Sequence, residues 1–283
     1  MIGLCVDSNA QLPDELQERY GVEIVALTVT VDGRDYQEGV DLDADEFYAR
    51  FATAAAAGGD PPVVTTAAPS PGRFAAAYEA LAARGATEIL SVHLGSNASG
   101  TVNSARLAAA DSRVPVRIVD TGTASFAISC CLWEAASAID HGASLAESAA
   151  IAESVAARCT NVFVVGALEL ARAGGRLGAE VTDGLGAVPV LSLVDGRIQA
   201  VAHVATVEDA AEAMATFIRA SGIGLRVGIG LADRESSPVR EALETRLTAS
   251  AEVREVVRYR VGPSVAAHTG PGTAGAVAYP SAR

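Results

Sequence analysis

Residues 88–119 read EILSVHLGSNASGTVNSARLAAADSRVPVRIV, and this stretch contains every part of one folding unit. A short apolar run, Glu88–Val92, is followed by a polar turn and then by an alanine-rich segment, Thr101–Ala110. A second apolar run, Val116–Val119, comes next. Strand, helix and strand in this order predict a βαβ unit with two parallel strands.

The same alternation continues on both sides of this stretch. Further apolar runs predict strands at Ile2–Val6, Ile24–Val31, Asn161–Val165, Val190–Leu193 and Arg226–Gly230. Helices are predicted between them at Ser70–Ala83, Ala124–Ala138, Leu145–Arg158, Val207–Arg219 and Pro238–Ala249. Ser144 and Glu147 form a capping-box pattern at the start of one of these helices. The chain is therefore expected to be an α/β protein with a largely parallel sheet that is buried on both faces.

The second half of the chain has a different pattern. Residues 188–204 resemble a hairpin with Asp195-Gly196 at its turn, and Val253–Val261 alternates like a partly exposed strand. Regular α/β therefore changes to mixed α+β near residues 155–165. We expect an N-terminal domain over residues 1–158 and a C-terminal domain over residues 159–283.

Charge and composition exclude several classes of function. The formal net charge is -13, and a surface this acidic repels nucleic acids and anionic membranes. All 21 cationic residues are arginines, so lysine Schiff bases and a P-loop lysine are excluded. The first residues lack the features of a signal peptide, and no apolar run could span a bilayer. The four cysteines and four histidines lack zinc spacing, which favours free thiols in a reducing cytoplasm.

Two polar segments of the first half could hold an anion. Asp7-Ser8-Asn9 directly follows the first strand, where parallel sheets place their ligands, or it caps the helix expected over Leu12–Arg19. Residues 65–71, TTAAPSP, place hydroxyls before a helix that begins with proline, and Ser70 is also its expected cap. Each segment therefore has a binding and a structural interpretation.

The turn inside the opening stretch carries its own alternatives. His93 and the serines at 96 and 99 could suggest a nucleophile, but the turn lacks the Gly-x-Ser-x-Gly pattern and His93 lies at the end of the strand. Hydroxyl donors for a bound oxyanion fit the turn better. A serine-dependent hydrolase or esterase, with Ser96 or Ser99 as its nucleophile, remains the alternative function.

Two segments of the second half add candidate residues. His268 lies between a short apolar run and a Gly-Pro-Gly turn that can aim its ring, although a lone histidine is often structural. Residues 170–178 place Arg172 and Arg176 around paired glycines. These arginines could neutralise a ligand carboxylate, or they could be solvated at the surface.

Taken in order, these segments resemble the DegV family, whose members bind fatty acids. The resemblance is carried by residues 7–13 (DSNAQLP), 36–41 (YQEGVD), 66–71 (TAAPSP), 96–105 (SNASGTVNSA), 119–121 (VDT), 174–178 (GGRLG) and 268–272 (HTGPG). Each segment alone is weak, but their order extends across nearly the whole chain.

The resemblance implies a two-domain fold in which an N-terminal α/β domain, with a mainly parallel sheet, packs against a C-terminal mixed α+β domain. It also implies a long-chain fatty acid in a tunnel between the domains, with no other cofactor and no metal. Thr66, Ser96 and His268 would hold the carboxylate, with Arg176 nearby and Gly95 and Asn97 in the same turn as Ser96.

In bacterial fatty acid kinase systems, similar proteins are not enzymes themselves. They present the carboxylate to a separate ATP-binding kinase subunit and carry the acyl phosphate onward. A carrier of another apolar carboxylate is a further alternative for this chain.

Three positions depart from the family pattern. Gly95 stands where relatives commonly have the first of two serines, and Ala67 replaces a usual serine. Both changes remove hydroxyls near the expected carboxylate site. Ala205 occupies the position where relatives that cooperate with a kinase typically place an arginine. This third departure bears against cooperation with a kinase subunit.

Overall fold

The computed structural model describes residues 1–173, 188–194, 196–234 and 236–281, without the side chains of residues 171–173. The chain divides into two compact units. The first unit contains residues 1–29, 35–41 and 66–157, and the second contains residues 30–34, 42–65 and 158–283.

Residues 30–34 and 42–65 are grouped with the second unit although they precede most of the first unit in sequence. Contacts inside that unit explain the grouping. The buried Tyr48 hydroxyl donates to the Val261 carbonyl at 2.9 Å, and the Asp32 amide donates to the Val63 carbonyl at 2.9 Å.

Strands and helices alternate through most of the chain. The strands are β1 Ile2–Asp7, β2 Glu23–Val25, β3 Thr28–Val31, β4 Arg34–Gln37, β5 Val64–Ala67, β6 Glu88–His93, β7 Val116–Asp120, β8 Thr160–Val164, β9 Val188–Val194, β10 Arg197–Val204, β11 Leu225–Leu231, β12 Val253–Arg260 and β13 Ala274–Pro280. The helices are α1 Asp14–Tyr20, α2 Ala44–Ala56, α3 Pro71–Ala83, α4 Thr101–Ala110, α5 Phe126–Asp140, α6 Leu145–Ala156, α7 Leu168–Ala173, α8 Val207–Arg219, α9 Ser237–Thr248 and α10 Pro263–Thr269. A short 3-10 helix covers Ser8–Ala10.

The first unit contains a four-stranded sheet in the order β2-β1-β6-β7, and all of its neighbouring strands are parallel. The predicted βαβ unit is therefore confirmed as β6, α4 and β7. Both faces of the sheet are buried, as crossover helices require. Phe74 and Tyr78 of α3 and Ala105 of α4 pack on one face beside Cys5 and Ile89, while α5 and α6 contact the same strands.

The second unit contains a six-stranded sheet in the order β10-β9-β8-β13-β11-β12. Only the β11–β12 pair is parallel among these neighbours, so the mixed character expected of the second half is confirmed. The predicted hairpin is β9 and β10, paired antiparallel; its expected turn residue Asp195 lies outside the described residues. Helices α8 and α9 cover one face of the sheet through Met214, Ile218 and Leu243.

One predicted strand is wrong. The run Ile24–Val31 is divided into β2, in the parallel sheet, and β3, in a three-stranded sheet of order β4-β3-β5. The chain leaves the parallel sheet at Leu27, whose amide donates to the Ser8 hydroxyl at 3.0 Å and whose carbonyl accepts from the Glu38 amide at 3.0 Å. These side-chain and turn contacts replace the ladder bonds that a continuous strand would make.

The two predicted helix caps have different outcomes. Ser144 and Glu147 form the predicted capping box at the start of α6. Ser70 occupies the N-cap position of α3, but its side chain makes no capping hydrogen bond. Among the described helices, none has both the length and the apolar character needed to cross a membrane.

Candidate functional site

Polar turns follow three neighbouring strands of the parallel sheet at their carboxyl ends. Asp7 ends β1, His93 ends β6 and Asp120 ends β7. Because these strands are parallel, their carboxyl ends meet at one edge of the sheet, where open α/β folds bind ligands. The turns after β6 and β7 also contact each other, since the Gly95 amide donates to the Thr123 carbonyl at 2.8 Å.

A chain of buried side chains runs beneath this edge. Tyr78 Oη lies 3.0 Å from Ser91 Oγ, which lies 2.6 Å from His93 Nε2, and His93 Nδ1 lies 3.0 Å from Asp7 Oδ2. The Leu94 amide also donates to Asp7 Oδ2, at 2.9 Å. These hydrogen bonds engage both ring nitrogens of His93 and hold the ring between Ser91 and Asp7. The sequence analysis did not predict these hydrogen-bonded side chains.

The order of Ser91, His93 and Asp7 is that of a serine-hydrolase triad. Each of the three side chains is 0 % exposed, however, and the Ser91 oxygen is also bonded to Tyr78. Both ring nitrogens of His93 are engaged, so His93 is not available as a base for Ser96 or Ser99. These hydrogen-bonded side chains therefore stabilise the strand ends and give no support to the hydrolase alternative.

Two ionisable side chains in this interior, Cys5 and Tyr78, are uncharged. Burial is the main cause that raises the pKa of the Cys5 thiol to about 12. Burial likewise raises the pKa of the Tyr78 hydroxyl far above its usual value. Both groups keep their protons at neutral pH, so Tyr78 remains a hydrogen-bond donor at the start of the chain.

The first polar segment, residues 7–9, is occupied by structural contacts. Asp7 Oδ1 accepts from the Asn9 amide at 3.1 Å and caps the 3-10 helix, while Asn9 Oδ1 accepts from the Ser125 amide at 2.9 Å. The Ser8 hydroxyl donates to the buried carboxylate of Glu38. These contacts are structural, but the predicted cap of the helix over Leu12–Arg19 is wrong, because Asp7 caps the 3-10 helix whereas α1 begins at Asp14 with Pro13 at its N-cap.

Ser96 lies at the exposed tip of the turn after β6, and the strand beside it holds the turn in place. The Ser96 amide donates to Asp120 Oδ1 at 3.0 Å, and the Gly122 amide donates to the same oxygen at 3.2 Å. Asn97 lies beside it and donates from Nδ2 to the Gly122 carbonyl at 3.3 Å. Ser96 and Asn97 are therefore fixed by the turn that follows β7.

Gly95 is required for this close approach of the two turns. A Cβ atom built at Gly95 would lie 2.6 Å from the Gly122 carbonyl carbon and 2.7 Å from its Cα. Both of these contacts are with backbone atoms, which cannot move aside as a side chain could. The role of Gly95 here is to let the turns pack, and any side chain at this position would push them apart.

The variant Gly95→Ser would restore the hydroxyl that the family pattern has at this position. We expect it to lower the free energy of unfolding, because its Cβ would displace the Ser96 turn from Gly122. Thermal unfolding of purified variant and wild-type protein measures the effect. A Gly95→Ser protein as stable as the wild type would show that the turn accommodates a side chain.

Thr66 is half-buried on β5, in the segment that leads into α3. This segment lies beside the turn that carries Ser96, because a Cβ built at Gly100 would lie 3.8 Å from the Cβ of Ala68. The structure thus places two of the predicted donor segments next to each other within the first unit.

His268 belongs to the second unit and lies in the last turn of α10, a helix that the sequence analysis did not predict. The backbone after it is tightly held. The Gly270 amide donates to the Ala266 carbonyl at 2.7 Å, and the Gly272 amide donates to both carboxylate oxygens of Asp233 at 3.1 Å. A Cβ built at Gly166 would lie 1.9 Å from the Pro271 carbonyl oxygen. The expectation of a stiff backbone around His268 fits these contacts.

One predicted ligand residue, Arg176, cannot be placed in the site. Arg176 and the paired glycines beside it lie outside the described residues. Sequence reasoning gave no role to Asp120 or Asp233, although each accepts backbone hydrogen bonds from a turn with a predicted ligand residue. The available signal is an aspartate near the end of an apolar strand, since Asp120 is the last residue of β7 and Asp233 lies two residues after β11. Within the described part of the chain, no three His, Cys, Asp or Glu side chains are grouped to hold a metal ion.

Comparison with known proteins gives the chain its family. The family model described as "Uncharacterised protein, DegV family" matches residues 1–281. A DegV domain-containing protein of Streptomyces coelicolor is 33% identical over 283 residues, which covers 98% of this chain and 97% of that protein.

Solved structures agree over the full length. A fatty-acid-binding DegV family protein from Thermus thermophilus is 32% identical, with a TM-score of 0.89 and 99% of both chains covered. A Thermotoga maritima protein, whose structure is said to reveal a fatty acid binding function, is 28% identical, with a TM-score of 0.84 and 99% of both chains covered. Because the family model matches residues 1–281 and the Streptomyces coelicolor relative is 33% identical over nearly the whole of both chains, this chain is a member of the DegV family.

Proposed function

We propose that this protein binds a long-chain fatty acid and holds its carboxylate with the hydroxyls of Thr66 and Ser96 and the imidazole of His268. The observation that carries the proposal is the full-length similarity, at 32% identity, to the Thermus thermophilus protein described as binding fatty acid. The adjacent positions of the Thr66 segment and the Ser96 turn support the same assignment.

The tail of the ligand provides the affinity in this proposal. Burying the tail of hexadecanoate contributes about 0.8 kcal/mol per methylene group, or roughly 12 kcal/mol before the entropic cost of binding is subtracted. No charged residue is needed for that contribution. Polar residues instead decide where the carboxylate points.

The carboxylate loses its hydration when it binds, so it needs donors in the site. The Ser96 hydroxyl stands at the exposed tip of a turn whose backbone is fixed by Asp120. His268 is half-buried and precedes a turn that is fixed by Asp233. Donors on rigid turns lose little conformational entropy when they bind, which suits a site that must orient one headgroup.

Calorimetric titration with hexadecanoate tests the proposal. We expect saturable binding of one fatty acid per chain, and weaker binding of the methyl ester, which has the same tail but no charge. A serine-directed phosphonate should label no serine in the same preparation. Failure of the delipidated protein to bind any long-chain fatty acid would refute the proposal, and a labelled Ser96 or Ser99 would favour the hydrolase alternative.

The variants Thr66→Ala, Ser96→Ala and His268→Ala are each expected to weaken hexadecanoate binding by about 1.5–3 kcal/mol, the usual value of a hydrogen bond to a charged group. Their stability should change less than their affinity. Thr248→Ala, at the exposed end of α9, provides a matched control that should bind like the wild type. Unchanged affinity in all three variants would show that the headgroup lies elsewhere.

A double-mutant cycle tests whether Ser96 and His268 hold the same carboxylate. If they do, the double variant should lose less binding free energy than the sum of the two single losses, because residues that share one partner have non-additive effects. Strict additivity would place the two residues at independent sites.

We assign phosphorylation, where it occurs, to a separate kinase subunit and not to this chain. Ala205 is exposed immediately before Thr206, whose hydroxyl caps α8 by accepting from the Asp209 amide at 3.1 Å. No cation stands at position 205, where the family resemblance associates an arginine with kinase cooperation. Binding and carriage of the fatty acid are therefore the activity that we propose for the chain itself.

A further inference from the structure

Arg73, in the first turn of α3, differs from the other half-buried arginines of this protein. Among the arginines whose side chains the structure describes, all the half-buried ones except Arg73 form an ion pair with a glutamate. Those paired residues are Arg50, Arg219, Arg226, Arg240 and Arg246. Arg73 contacts no carboxylate of the described residues. Because a charge that is partly removed from water needs a partner of opposite charge, Arg73 is suited to bind an anion.

The contacts of Arg73 engage only one nitrogen of its guanidinium. Nη1 donates to the Ala26 carbonyl at 3.1 Å and to Thr28 Oγ1 at 3.3 Å, whereas Nε and Nη2 make no hydrogen bond to any residue that the structure describes. Nε and Nη2 lie on one edge of the planar group and can bind one carboxylate together. Arg258 binds Glu244 through these same two nitrogens, which donate to Oε1 at 2.9 and 2.6 Å.

These contacts also place Arg73 near the end of the strand that carries Thr66. The Asp32 amide, directly after β3, donates to the Val63 carbonyl, directly before β5, at 2.9 Å. The two neighbouring strands therefore run antiparallel, and the start of β3 at Thr28 lies next to the end of β5. Thr28, Thr66 and Arg73 all belong to the first unit.

We propose that Arg73 binds the carboxylate of the fatty acid through Nε and Nη2 and thereby selects an anionic headgroup over a neutral one. This inference rests on the proposed function. The hydroxyls of Thr66 and Ser96 can donate to a carboxylate or to an alcohol, so they distinguish the two headgroups only weakly. The guanidinium is charged, and its hydrogen bonds to a carboxylate are about twice as strong as those between neutral groups.

Two variants test the charge and the geometry of Arg73 separately. Arg73→Gln removes the charge but keeps an NH₂ group that can donate to the Ala26 carbonyl. We expect it to bind hexadecanoate about ten- to a hundredfold more weakly, with its affinity for hexadecan-1-ol unchanged. Arg73→Lys keeps the charge without the pair of N–H groups, so we expect a loss of about three- to tenfold for hexadecanoate alone.

Calorimetric titration of each variant with both ligands measures these losses. Arg19→Gln removes the same charge at an exposed position of α1 and should match the wild type with both ligands. If Arg19→Gln weakens hexadecanoate binding as much as Arg73→Gln does, the effect is one of net charge and the inference is refuted.

The other outcomes separate this inference from the proposed function. If wild-type protein binds hexadecanoate and Arg73→Gln binds it equally tightly, or loses affinity for both ligands by the same factor, the carboxylate contact of Arg73 is refuted and fatty acid binding stands. If Arg73→Gln does not fold, Arg73→Lys decides, and wild-type affinity for hexadecanoate in that variant refutes the paired hydrogen bonds. If the wild type binds neither ligand, the proposed function fails and this inference fails with it.

Discussion

Replacing Asp7 by alanine is expected to lower the free energy of unfolding by about 3–5 kcal/mol, the usual cost of removing one partner from a buried hydrogen-bonded pair. The carboxylate of Asp7 is fully buried and accepts from His93 Nδ1 and from the amides of Leu94 and Asn9. The variant leaves these donors buried without an acceptor.

Urea denaturation followed by circular dichroism measures this loss. Asp60→Ala, an equivalent truncation at an exposed residue after α2, should leave the unfolding midpoint almost unchanged. Asp7→Asn should fall between the two variants, because an amide oxygen can replace some of the accepting positions but not all. If Asp7→Ala were as stable as Asp60→Ala, the buried hydrogen bonds of Asp7 would not contribute to the stability of the fold as their distances indicate.

The second large effect is expected from Gly166→Ala. The new Cβ atom would lie 1.9 Å from the Pro271 carbonyl oxygen, far inside van der Waals contact, and the obstacle is backbone. The turn after His268 must therefore move. We expect a loss of about 3 kcal/mol in the free energy of unfolding, at the upper end of the cost of overpacking, together with weaker binding of hexadecanoate.

Gly59→Ala is the matched control for this substitution. Its Cβ would lie 3.7 Å from the Ala54 carbonyl oxygen, which is an ordinary contact, so both stability and binding should be retained. Thermal unfolding and hexadecanoate titration of the two variants give the comparison. Normal binding by a destabilised Gly166→Ala protein would separate the packing of this turn from the position of His268 and would count against the role proposed for that histidine.

Much of the fold could be predicted from the sequence because its signals are local. Hydrophobic periodicity, segment length and turn residues within about thirty positions were enough to predict β6, α4 and β7. The predicted helix Thr101–Ala110 agrees with α4 at both ends. The hairpin β9–β10 and the capping box at Ser144 are also contained in short windows. Such elements depend on interactions between residues that are near each other in the chain.

The missed features depend on contacts that are distant in sequence. Asp7 and His93 are 86 positions apart, and nothing in either local segment predicts that the two side chains meet. The carboxylate of Asp233 reaches the Gly272 amide across 39 positions. The break between β2 and β3 has the same origin, because Leu27 leaves the sheet to bond with Ser8 and Glu38.

The candidate site shows the same limit. Ser96 and its turn could be predicted from a strand end that is rich in small polar residues, and the family resemblance added Thr66 and His268. The residues that position the turns, Asp120 and Asp233, are single carboxylates whose roles depend on the neighbouring strand or loop. Gly95 shows how sequence and structure can differ. The sequence shows only that a hydroxyl of the family pattern is absent there, whereas the structure shows that the absence of a side chain lets two turns pack.

Native mass spectrometry of the protein as purified, followed by solvent extraction and identification of any bound lipid, tests the central claim most directly. The account predicts a mass increase that corresponds to one long-chain fatty acid, lost on extraction, and a reduced share of loaded protein in His268→Ala. A protein that carries no lipid and acquires none when incubated with hexadecanoate would contradict it.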